Sequence, residues 1–188
     1  MVVKLMEKCL NFFDKSGKIL ISPENTLKEI KDNNTCLNGI YFFIFFSAFL
    51  GIMIGAMIAG LIQNPFLPIL MALLAIIIGL LKLFIWAGIT HLVAKFIFKG
   101  KGKFKNIFGL MGYTSVTFIL GIFALMMMML ATRLISSFLL FILMGIWMLV
   151  IATVAVNVEH GIGIGKSFLS CYGVITLIII AIFLIGGV

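Results

Sequence analysis

The chain has 188 residues, of which 63% are hydrophobic and 11% charged, and its mean hydropathy is +1.30. Soluble domains have about 45–50% apolar and about 25% charged residues, so this composition excludes a water-soluble globule and predicts an integral membrane protein. The formal net charge of +8 comes from basic residues that lie between apolar runs, which indicates orientation in a membrane and no nucleic-acid partner.

The first 38 residues are predicted to form a short helical appendage on the cytoplasmic side. In residues 1–15 the apolar side chains fill one half of a helical wheel and the charged ones fill the other. This pattern is typical of a helix at a lipid boundary or docked on the rest of the protein. Ser22, Pro23 and Glu24 then predict the start of a second helix, because Ser favours the cap and Pro the first helical position. The segment is too small to have a core of its own.

Five apolar runs follow, and each is long enough to cross a hydrocarbon layer of about 30 Å as a helix of about 20 residues. Only helices satisfy their own backbone groups in lipid, and the alternation of barrel strands is absent. The predicted fold is therefore an all-α polytopic membrane bundle over residues 39–188. Its second helix exceeds one perpendicular span, so it must tilt, break or project from the membrane. The five predicted spans cover residues 39–62, 68–98, 107–131, 134–158 and 167–188.

The lysines predict how the bundle is oriented in a cell membrane. With the amino terminus in the cytoplasm, twelve lysines fall on that side and only Arg133 falls on the other, when Lys82 inside a span is left out. Positive residues favour the cytoplasmic side, so the carboxyl terminus is expected outside. The outer loops are short, and any soluble partner must approach from the cytoplasm.

The second loop alternates lysine with glycine from Lys99 to Lys103 and predicts a flexible cationic hairpin at the depth of lipid headgroups. Attraction to anionic lipid, about 1 kcal/mol per basic residue, explains this pattern without a specific ligand. A cytoplasmic protein or phosphate partner is the alternative. The candidate residues for binding lipid or a partner are Lys95, Lys99, Lys101, Lys103 and Lys105.

Four further ionisable residues are candidate polar groups within the membrane: Lys82, His91, Glu159 and His160. Lys82 either snorkels to the interface or binds an anionic group. The two histidines and Glu159 lack the spacing of a metal site, and the chain offers no catalytic set. We therefore expect a non-enzymatic protein without metal or cofactor. The alternative is a small transporter or channel with a polar path near Lys82, His91 and Glu159.

The first span contains a GxxxG motif formed by Gly51 and Gly55. Small residues at this spacing let two helices approach closely. The motif predicts either packing within the monomer or a contact between copies in a homo-oligomer.

Several of these features together resemble the Yip domain family, and particularly its prokaryotic members. The resemblance extends from about Ile19 to the end of the chain and rests on the motifs Ile-Leu-Ile-Ser-Pro-Glu at 19–24, Trp86 to Lys95, the Gly-Lys hairpin with Phe104, and Gly112-Tyr113. It implies five transmembrane helices, a cytoplasmic amino terminus and a non-enzymatic scaffold. In eukaryotic members that scaffold acts in vesicle trafficking through Ypt/Rab GTPase or coat partners. These members have the pattern Gly-Tyr-x-x-x-Pro, and this sequence has Thr117 in place of the proline.

Overall fold

The structure, a computed structural model, describes residues 14–129, 134–173 and 176, and every regular element in these residues is helical. Residues 14–21 form a first helical segment. The helices that follow are α1 (Pro23–Asp32), α2 (Asn38–Ile62), α3 (Leu67–Leu92), α4 (Phe104–Gly112), α5 (Phe118–Met129), α6 (Leu134–His160) and α7 (Ile164–Phe168). A π-helical turn, Val93–Ile97, extends α3, a 3-10 turn, Tyr113–Thr117, joins α4 to α5, and a second π-helical turn, Leu169–Gly173, extends α7.

Four of the helical stretches are long and apolar enough to cross a membrane: Asn38–Ile62, Leu67–Ile97, Phe104–Met128 and Leu134–His160. They match the first four predicted spans, and the third begins three residues earlier than the sequence indicated. The all-helical, multi-pass membrane fold is thereby confirmed. Most of the fifth predicted span, residues 167–188, lies outside the described residues, as do residues 1–13 of the amphipathic segment.

The long second span is one continuous helix whose last turn is widened. The amide of Phe98 donates to the carbonyl of Val93, and the amide of Gly100 donates to the carbonyl of Ala94. Lys99 then adopts a left-handed backbone with φ of 57°, which ends the helix. At about 1.5 Å per residue the 31-residue stretch is about 46 Å long, so it exceeds a hydrocarbon core of about 30 Å.

The GxxxG motif is used inside the monomer, between α2 and α3. A Cβ atom on Gly51 would lie 2.6 Å from the carbonyl oxygen of Met71, and one on Gly55 would lie 2.5 Å from Cα of Pro68. The glycines therefore allow the two backbones to touch, so the motif serves packing within the monomer, the first of its two predicted uses.

Burial changes along the length of the bundle. In the stretch from Ile107 to Thr117 nearly every side chain is buried, and so are several residues between Ile151 and Val156 of α6. Apolar side chains are exposed along the first half of α6 and much of α3, and also at Phe96 and Ile97 near the end of the second span. Such exposed apolar surface is expected of a bundle that faces lipid.

The described part of the appendage is docked on α6. Leu27 and Ile30 of α1 are buried, and the indole Nε1 of Trp147 donates to the carbonyl of Leu20 at 3.1 Å. Nζ of Lys31 donates to the carbonyl of Val158 at 2.7 Å. The two contacts on α6 are 11 residues apart, or about 16 Å along the helix, so residues 20–31 run beside the second half of α6, and α1 shares the core of the bundle.

Candidate functional site

Polar side chains that are distant in the sequence meet at the end of the bundle where α3 and α6 finish, which we call the basic end. The loop from Phe98 to Lys103 crosses this end, and α1 closes it from the side. The polar cluster consists of Lys31, His91, Asn106, Glu159 and His160.

Glu159 is the acidic centre of the cluster, and its side chain is 3% exposed. Its Oε1 accepts from the backbone amide of Lys103 at 2.7 Å and from the side-chain amide of Asn106 at 3.3 Å. Nζ of Lys31 lies 3.5 Å from Oε2 and supplies the compensating charge. A buried carboxylate is stable only with such donors, so Glu159 holds the loop, α4 and α1 together.

The two histidines form a directed chain of hydrogen bonds. The backbone amide of Gly102 donates to Nδ1 of His160 at 3.2 Å, so this nitrogen carries no proton. A neutral ring then has its proton on Nε2, which donates to Nδ1 of His91 at 3.3 Å. His91 in turn places its ring against the edge of Phe104, with ring centroids 5.8 Å apart. These bonds require both imidazoles to be neutral.

The glycines of the loop are buried against this cluster, and the lysines between them are exposed. A Cβ atom on Gly100 would lie 2.6 Å from Nδ1 of His160, and one on Gly102 would lie 2.7 Å from Cγ of Glu159. No side chain fits at either position without movement of its neighbours. The sequence indicated a flexible hairpin, whereas the structure has a clamped loop, residues 98–103, in which glycine is needed for close packing.

The five lysines singled out in the sequence are all exposed at the basic end, and we call them the lysine face. Its members are Lys95, Lys99, Lys101, Lys103 and Lys105. The nearby carboxylate of Glu159 is buried under the loop and bonded to Lys31. The lysine face is therefore a concentrated positive charge on a backbone that the buried polar cluster holds in place.

Lys82 lies apart from the cluster. It is nine residues before His91, or about 14 Å along α3, and its side chain is exposed without an ion pair among the described residues. The structure thus brings His91, Glu159 and His160 together and leaves Lys82 separate. Among the described residues no group of three His, Cys, Asp or Glu side chains is arranged to hold a metal ion.

Sequence reasoning missed Lys31, Asn106 and the packing role of the two glycines. Lys31 and Asn106 are 128 and 53 residues from Glu159, and neither stands in a recognisable motif. The regular spacing of Gly100 and Gly102 was the one signal in the sequence for the packing of this loop.

A family model for the Yip1 domain matches residues 17–185. The chain belongs to the Yip1 domain family. The match includes α1, the four described spans and the clamped loop, so the resemblance seen in the sequence is confirmed. No curated protein and no solved structure matches the chain.

The Yip1 domain also buries a thiol close to the cluster. Cys36, between α1 and α2, is 3% exposed. Desolvation by burial raises the pKa of this thiol, and the negative charge of Glu159 raises it further. A buried thiol with a raised pKa is expected to react slowly, as for a cysteine that serves packing.

Proposed function

We propose that this Yip1 domain protein is a non-enzymatic membrane scaffold whose lysine face docks an acidic partner from the cytoplasm. The clamped loop carries the proposal, because buried Gly100 and Gly102 fix the backbone from which the exposed lysines project. A loop that is already ordered loses little conformational freedom on binding, which favours a partner of fixed shape.

The length of α3 supports a partner outside the protein's own bilayer. The apolar stretch is about 46 Å long and the hydrocarbon core is about 30 Å, so about 16 Å projects beyond it if the short loop of residues 63–66 lies at the opposite surface. The lysine face at the end of that stretch then stands clear of the surrounding headgroups.

The charge distribution supports a cytoplasmic location for the basic end. The appendage, the clamped loop and the loop after His160 meet there, and positive residues are retained on the cytoplasmic side. Eukaryotic members of the family that the sequence resembles bind GTPase or coat partners at that side, which is why we place a protein partner there.

The test is photo-crosslinking in the native membrane, with a photoreactive residue introduced at Ile97, which is exposed beside the lysine face. A discrete protein adduct is expected. Changing Lys99, Lys101, Lys103 and Lys105 together to Gln removes four of the five positive charges that would attract an acidic partner, so the adduct should fall to background.

The matched control changes the same four lysines to Arg, which keeps the charge and should keep the adduct. Adducts with lipid only, or a protein adduct of equal intensity in the Gln variant, would contradict the proposal. Cysteine labelling gives the orientation: a cysteine at Lys101 should react from the cytoplasm, and one at Gln63 from outside.

A further inference from the structure

Two apolar hollows lie on either side of Lys82. The first, about 390 Å³, lies between α2 and α3, and the second, about 590 Å³, lies between α3, α6 and the turn after α7. Ile78, Lys82, Trp86 and Met148 line both. The first hollow continues past Leu50 and Ile54 towards Met71, along several turns of both helices. The two hollows therefore adjoin along the side chain of Lys82, and the second is lined almost entirely by carbon.

Lys82 has no counter-ion available in its own part of the chain. The chain contains no acidic residue between Asp32 and Glu159, and Glu159 is engaged by Lys31 and the clamped loop. Lys82 forms no ion pair among the described residues. An ammonium beside hydrocarbon is stabilised by an anion at close range, and the exposed side chain of Lys82 is free to accept one from a bound molecule.

The depth of Lys82 suits the headgroup of a lipid. Lys82 follows Leu67 by 15 residues, which places its Cα about 22 Å along the helix and about 8 Å short of the far edge of a 30 Å core. A lysine side chain covers most of that distance by snorkelling.

We propose that Lys82 binds the phosphate of an anionic two-chain phospholipid, whose acyl chains occupy the two hollows. The apolar walls of the two hollows fit the chains, and the unpaired ammonium fits the phosphate. A single-chain amphiphile would fill one hollow, and a free phosphate ion would fill neither. The proposal does not depend on the scaffold function, because Lys82 is about 14 Å from the cluster that supports the lysine face.

Native mass spectrometry of the purified full chain tests this inference. Phosphatidylglycerol and phosphatidylcholine with the same acyl chains compete for the protein, and the intensity ratio of the bound species is measured. We expect at least a tenfold preference for phosphatidylglycerol that Lys82→Met abolishes. Lys166→Met is the matched control, since it removes the same charge at an exposed site away from the hollows, and it should keep the preference.

A second variant separates the headgroup from the chains. Leu74 lines the first hollow and is 40% exposed, so Leu74→Trp narrows the hollow without a change in the core. This substitution should weaken the binding of both lipids and leave the ratio of the bound species unchanged. An unchanged preference in Lys82→Met would overturn the proposal, as would equal binding of a lyso-lipid, displacement by inorganic phosphate, or an unaltered affinity in Leu74→Trp.

Discussion

Replacing Gly102 by Ala is the most direct test of the clamped loop. The new Cβ would lie 2.7 Å from Cγ of Glu159 and 2.9 Å from two ring carbons of His160. Ordinary carbon contacts are 3.4 Å or longer, so both side chains must move by about half an ångström or more. Neither can move freely, because Glu159 is bonded to the amide of Lys103 and His160 to the amide of Gly102 itself.

The expected cost of the substitution follows from these contacts. Adding a methyl group to a well-packed site costs about 1–3 kcal/mol. The backbone of Gly102 is not left-handed, so Ala is allowed there and stiffens the unfolded loop by about 0.4–1 kcal/mol. The loop should therefore lose about 1–2 kcal/mol of local stability, which corresponds to a 5- to 30-fold larger open population.

Hydrogen exchange of the peptide that covers residues 99–105 measures this population. The amides of Gly102 and Lys103 are both bonded to the polar cluster, and they exchange only when the loop opens. Exchange should be 5- to 30-fold faster in Gly102→Ala, with the transmembrane helices unchanged.

The matched control is Gly165→Ala, because no atom lies within 4 Å of a Cβ at that position. Exchange in the loop should be the same as in the unmodified protein. If Gly102→Ala also leaves the loop unchanged to within a factor of two, the glycines are not required by packing and the clamp is refuted.

Two further predictions concern the groups beneath and beside the loop. His160→Asn keeps an acceptor for the backbone amide of Gly102, whereas His160→Ala removes it. A buried amide without a partner costs about 1–3 kcal/mol. Hydrogen exchange in the loop should therefore be about tenfold faster in the Ala variant than in the Asn variant. Equal rates would show that the ring accepts no such bond. Cys36 should be alkylated by maleimide at least tenfold more slowly at pH 7.5 than a cysteine introduced at exposed Lys28, because burial and a raised pKa both reduce its accessible thiolate. Its rate should rise with pH, and a rate equal to that of the introduced cysteine would contradict the burial.

The sequence predicted the first four spans well because the length of an apolar run is a local property. The run from Leu67 is an example: its excess length was visible without a structure, and it became one helix with a final π turn. The polar cluster could not be predicted in the same way. Glu159 meets Lys31 and Asn106 only after α1, α4 and α6 have packed, and glycine spacing alone does not distinguish a flexible loop from a tightly packed one.

Lys82 and the lysine face differ in what surrounds each charge, although α3 and the loop after it carry both. Lys82 lies between apolar hollows, where an ammonium requires an anion at close range. The lysine face is exposed to water, where a single charge attracts an anionic partner weakly. Several charges held as a fixed group attract it strongly. A lipid phosphate at Lys82 would set the depth of α3 in the bilayer. Since α3 continues as one helix into the clamped loop, that depth would also set how far the lysine face stands above the headgroups.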